Sequence, residues 1–147
     1  MQTPSSIHIL FMKTDIKIIA AFLAAAMCAD GVCDLNEEEM LVSIAESYEL
    51  PATELQEAVR VWTDKFEGLS HEERMNSLSL QGIDVPAAEK PIVFDCVLEI
   101  LMADSILNRS EVNFMLAVAE QLCIFPADAV LLLADYIRHC PELSVEY

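Results

Sequence analysis

Apolar residues recur at three- and four-residue intervals along almost the whole chain, and no stretch alternates polar and apolar positions for long enough to make a strand. The sequence therefore reads as all-α, with about seven helices. A first helix covers residues 14–28. The next covers 35–48, with Met40, Leu41, Ile44, Ala45 and Tyr48 on one face and an Asp-led capping box, Asp34 with Glu37, at its start. Pro51 opens a third helix running to about Phe66, with Leu55, Val59, Trp62 and Phe66 on its apolar side, and Gly68 breaks it. Ser70 and Glu73 form a capping box for a short helix ending near Gly82. Residues 84–89 lead into a helix ending near Ala103, whose first turn Pro91 restricts and whose polar side carries Asp95 and Glu99. Asn108 and Glu111 repeat the capping pattern before a helix to about Cys123. Pro126 opens the last helix, which Pro141 stops after Cys140.

The pattern repeats. Sliding the chain by 74 positions lays Ala29-Asp30, Glu37 and Ala45-Glu46 on Ala103-Asp104, Glu111 and Ala119-Glu120. The flanks match in character, Ile18 to Met27 on Ile92 to Leu101, and Pro51 corresponds to Pro126 one position later. Residues 18–51 thus resemble residues 92–126, on one helix, loop, helix, proline-started helix plan. At 147 residues the chain fits one domain in which the two related helical units share a core.

The best conserved part of the repeat is a loop, ADGVCDLNEEE at 29–39 and ADSILNRSEVN at 103–113. Asp30 and Asp104 fall at helix C-termini, where a carboxylate meets the negative end of the dipole at a cost of roughly 0.3–1 kcal/mol. Oxygen donors at the first, fifth and eighth positions (Asp30, Asp34 and Glu37; Asp104, Asn108 and Glu111) could converge on a hard cation, Ca²⁺ or Mg²⁺, that offsets it. Turn-forming aspartates and ordinary helix capping account for the same residues without a metal. The loops are not EF-hands, since Val32, Leu35 and Leu41 stand at the third, sixth and twelfth positions counted from Asp30. Gly31 is matched by Ser105, and Asp34, Glu38 and Glu39 by Asn108, Val112 and Asn113, so the first loop is the stronger cation candidate.

This unit, Ala-Asp-Gly, a short spacer, a polar cap and a Glu three residues on, resembles the TerB-like family of tellurite-resistance-associated proteins over about residues 14–140. The resemblance implies an all-helical cytoplasmic domain of two related units, linked to tellurite or general chemical stress, with a divalent-metal site on its acidic interhelical loops. Position by position, its motif aspartates are Asp30 and Asp104, its caps Asp34 and Asn108, and its glutamates Glu37 and Glu111. Ser105 and Cys33 depart from the pattern.

Composition narrows the partners. With 25 acidic against 8 basic side chains the formal charge is -17, which repels nucleic-acid backbones and anionic membranes and leaves a cation, a basic protein surface or plain solubility as what the charge serves. Residues 18–29 follow Lys13 and Lys17 as in an export signal, but Asp15 interrupts that flank, the run is too short to span a bilayer, and its pattern recurs at 92–101; a core helix is expected. The five cysteines make no C-x-x-C pair and suit reduced, buried thiols in a cytoplasm. Trp62 is expected in the core and His71 on the surface. No zinc-binding histidine spacing, nucleophile elbow or phosphate loop occurs. The expectation is a non-enzymatic acidic module; the alternatives are a small hydrolytic or other enzyme built on clustered carboxylates, and a purely structural or protein-interaction domain.

Overall fold

A computed structural model of the chain describes residues 13–29, 35–101, 106–107, 109–138 and 144–145. Among these residues it is all-α: α1 (Ile16–Ala29), α2 (Leu35–Ser47), α3 (Ala52–Glu67), α4 (His71–Gly82), a 3-10 turn (Ala87–Glu89), α5 (Lys90–Leu101), α6 (Arg109–Gln121) and α7 (Pro126–Arg138). The exception to helix is a two-residue parallel pairing of β1 (Ile106–Leu107) with β2 (Ser144–Val145), too short for any alternation of residues to announce it.

Three pairs of helices begin 74 positions apart: α1 and α5 at Ile16 and Lys90, α2 and α6 at Leu35 and Arg109, α3 and α7 at Ala52 and Pro126. The prolines that seemed to shift by one do so because Pro51 is the N-cap of α3 whereas Pro126 is the first residue of α7; at either place the missing N–H is no loss. The turns correspond in detail. After α2, Glu49 takes a positive φ of 54° and Leu50 N–H bonds Ala45 O at 2.8 Å; after α6, Cys123 takes 59° and Ile124 N–H bonds Ala119 O at 2.9 Å. Both are Schellman closures in which the left-handed residue is not glycine. Cys123 is exposed there, unlike the buried Cys28 and Cys96 and contrary to the expectation of buried thiols, because it occupies a turn and not a helix face.

One hydrophobic core runs through both halves. From Ile18 to Cys28, α1 is buried on every side, and its alanines 20, 21, 24, 25 and 26 let neighbouring backbones come close; α3 lies along it over much of its length. Across the register, bulk is exchanged: Ala20 matches Phe94, Phe22 matches Cys96 and Ala24 matches Leu98, all fully buried.

Helix α4 ties the halves, packing on α1 and α6. It starts with the capping box expected from sequence: Ser70 Oγ accepts from Glu73 N–H, and Glu73 Oε1 accepts from Ser70 N–H. Its Arg74 donates through Nε to Phe66 O at 2.9 Å and through Nη1 to Cys28 O at 3.2 Å, a cation at the C-terminal ends of α3 and α1. Trp62 is half-buried and not a core residue; its ring lies 5.3 Å from Phe66 and under the Lys65 ammonium at 4.7 Å, an amphipathic placement at the edge of the core.

Candidate functional site

Asp30, Asp34, Asp104, Asn108 and the side chain of Glu37 lie outside the described residues. Glu111 is described: it sits in the first turn of α6, 8% exposed. Around it is a cleft of about 340 Å³ whose walls come from four helices, with Ala25 of α1, His71 and Arg74 of α4, Leu101 of α5, and Ser110 and Phe114 of α6. Helices α1 and α5 end here, at Ala29 and Leu101, which are the residues from which the two acidic segments depart. The His71 ring is exposed, as expected, and rests 6.3 Å from Phe114. Among the described residues no three His, Cys, Asp or Glu side chains gather as a metal would require.

A second polar cluster lies where α2, α5 and α7 meet. The hydroxyl of Tyr48 donates to the Cys96 sulfur, and both groups are held well above their ordinary pKa, first by burial, then for Tyr48 by the neighbouring Cys96 thiol, and for both by the carboxylates of Glu99 and Asp95. Asp95 is itself pushed up to about 6, by burial and then by Asp135 of α7; Glu99 is raised by burial and then by Asp95. Sequence pattern had put both acids on the polar side of α5. There they are half-buried, with Asp135 of α7 near Asp95 and Tyr48, just after α2, near both. Their register counterparts in α1 are Ala21 and Ala25, both buried, and α7 accordingly touches α5 at far fewer places than α3 touches α1.

Two surface grooves were not anticipated. One, of about 610 Å³, runs between α1 and α3; the other, of about 570 Å³, between α5 and α7. They are register mates. Of the eight described residues lining the first, seven have their 74-position counterpart lining the second: Ile16 with Lys90, Lys17 with Pro91, Glu54 with Asp128, Glu57 with Leu131, Ala58 with Leu132, Val61 with Asp135 and Asp64 with Arg138. The repeat was legible, but its consequence for the surface needed the helix packing. Within the second groove Phe125 and Leu131 are 75% and 66% exposed.

No family model, curated protein or solved structure matches the chain. The likeness to TerB-like proteins stands on the loop motif. Among the described residues no helix is long and apolar enough to cross a membrane.

Proposed function

We propose that the chain is a non-enzymatic, acidic helical module of the cytoplasm whose work is binding. The observation that carries this reading is the groove between α5 and α7. Duplicated packing recreates a recess in each half without any function; it does not require large exposed apolar side chains along them, Phe125 and Leu131 in this groove and Val61 in its mate, on a chain of charge -17. Concave apolar surface rimmed by charge is the usual form of a docking site. A photoreactive residue placed at Leu131, and a second at Glu57 in the matching groove, should crosslink the same partner recurrently in cells, while one at exposed Glu72 on α4 should not. Equal labelling from Glu72, or none from either groove, would remove the reading.

A cation reading is favoured by a separate observation: α1 and α5 end at one cleft that also buries Glu111. Asp30, Asp34 and Glu37 with Asp104, Asn108 and Glu111 would then hold Ca²⁺ or Mg²⁺, with the first loop dominant by its three extra carboxylates. In calorimetric titration of the full chain the heat should vanish in Asp30→Asn and Glu37→Gln. Absence of heat at millimolar ion in the parent would leave these residues as turn and cap formers. The TerB-like resemblance adds a setting, tellurite or general stress, which a deletion strain of unchanged tolerance would contradict.

A further inference from the structure

The described chain begins at Lys13, and its first two residues are tied to the start of α5. The amides of Lys13 and Thr14 donate to the Glu89 carboxylate at 2.8 and 2.9 Å. Glu89 closes the 3-10 turn before α5, and Ala87 and Lys90, on either side of it, line the α5–α7 groove. Followed backwards from Ile16, which lines the other groove, the backbone crosses within three residues from the start of α1 to the edge of the α5–α7 groove. Whatever precedes Lys13 departs from that edge.

Residues before Lys13 lie outside the described residues, but their sequence is informative: Ile7-His8-Ile9-Leu10-Phe11-Met12 is apolar and holds no Asp, Glu, Lys or Arg. Its β-branched and aromatic residues favour an extended backbone, in which Ile7, Ile9 and Phe11 share one face. Six extended residues reach about 20 Å, the length of the 13-residue α7 at about 1.5 Å per residue. The groove presents an apolar wall of that kind, with Phe125 and Leu131 exposed and Ile124 and Leu132 beside them. Its charges cancel, Lys90 and Arg138 against Asp128 and Asp135, so an uncharged segment suits it. Around the α1–α3 groove Glu54, Glu57 and Asp64 outnumber Lys17 and Arg60. Tethering at the rim also gives the segment an effective concentration on the order of millimolar, which a free partner has to overcome. Resting on the binding-module reading above, we propose that residues 7–12 seat in the α5–α7 groove as the chain's own occupant, with Ile7, Ile9 and Phe11 turned to Phe125, Leu131 and Leu132, so that a partner engages this groove only by displacing them.

The test uses the native Cys123, which is exposed and lines the groove, whereas Cys28 and Cys96 are buried. In the full chain carrying Cys33→Ser and Cys140→Ser, the substitutions Ile7→Cys, Ile9→Cys and Phe11→Cys are made singly and the dilute protein is oxidised with oxidised glutathione. An intramolecular disulfide to Cys123 is expected from at least one position, mapped by mass spectrometry. With Cys123→Ser and Glu57→Cys, which moves the target thiol to the α1–α3 groove, the yield should fall about tenfold or more. A second measurement needs no added thiol: in the Cys33→Ser, Cys140→Ser chain, Ile9→Ser with Phe11→Ser keeps the net charge and should speed alkylation of Cys123 severalfold. Circular dichroism checks each fold. Absence of the disulfide, equal yield at Glu57→Cys, disulfides formed only between chains, or an unchanged alkylation rate each overturns the proposal. Its failure is separable from that of the module reading: if the disulfide forms but a photoreactive residue at Leu131 captures no partner even with Ile9→Ser and Phe11→Ser, the segment's seat stands and the reading falls; if those crosslinks persist without disulfide or protection, the reading stands and the proposal falls.

Discussion

Glu89 reaches across the chain to Thr14: its Oε1 accepts from the Thr14 hydroxyl at 2.6 Å and from the Thr14 amide at 2.9 Å, while Oε2 accepts from the Lys13 amide at 2.8 Å. The acid is 8% exposed, and burial alone would raise its pKa; the donors of Thr14 and Lys13 outweigh that and hold it below the ordinary value. One carboxylate thereby clamps the entry to α1 onto the start of α5. Glu89→Ala should cost about 1–3 kcal/mol in urea unfolding at neutral pH, since buried donors lose their acceptor. Because the folded pKa is depressed, the contribution is present above the unfolded carboxylate pKa and is lost as pH falls through the folded one. The gap between parent and variant should therefore close on acidification, and a constant gap would mean that packing, not the carboxylate, is responsible.

Asp95 has the opposite sign. With its folded pKa raised to about 6, the native state holds a proton that the unfolded chain releases near pH 4, so stability declines between those values and stays low above them. Asp95→Asn should raise stability at pH 7 by about 1 kcal/mol, discounted for a group that water partly screens, and should flatten that decline. Stability curves measured from pH 4 to 8 would show it; a destabilised variant would mean that the charge has a partner of its own.

The left-handed residues Glu49 and Cys123 each carry a side chain where glycine is favoured. Glu49→Gly and Cys123→Gly should each stabilise by about 0.5–1 kcal/mol, additively, because the sites belong to different turns. Thermal melts of the single and double variants test this.

Gly82 closes α4 against the end of α6, where an added Cβ would fall 2.3 Å from the Gln121 carbonyl oxygen. The obstacle is backbone and cannot swing aside. Gly82→Ala should lose about 1–3 kcal/mol or more, although alanine is the better helix former. A neutral or stabilised variant would show that α4 can shift away from α6.

Much of the fold was legible because its signals are local. The Ser70 and Glu73 capping box, the breaks at Pro51 and Gly68 and the apolar spacing of Leu55, Val59 and Phe66 each act within one or two turns, and each appears where it was expected. Trp62 was misjudged since spacing tells which side of a helix faces inward but not how far the neighbouring helix extends over it. Asp95 and Glu99 were placed on the polar side of their helix, but their half-burial was not legible for the same reason: for Asp95 it depends on Asp135, forty positions away. Of the six loop residues singled out, Glu111 alone has a described side chain, and its burial among α1, α4 and α5 could not be read from a capping pattern. The grooves were written in the repeat, but only as pairs of positions without a shape.

The exchange of Ala21 for Asp95 gives the two halves unequal mechanical standing. Helix α3 lies along an α1 that is buried and apolar from Ile18 to Cys28, and separating the two would expose apolar surface along that length; α7 meets α5 over a shorter contact beside half-buried Asp95, and separation there rehydrates a charge that burial had penalised. Under load the molecule should yield at α7 first, leaving α1 and α3 as the anchored remainder.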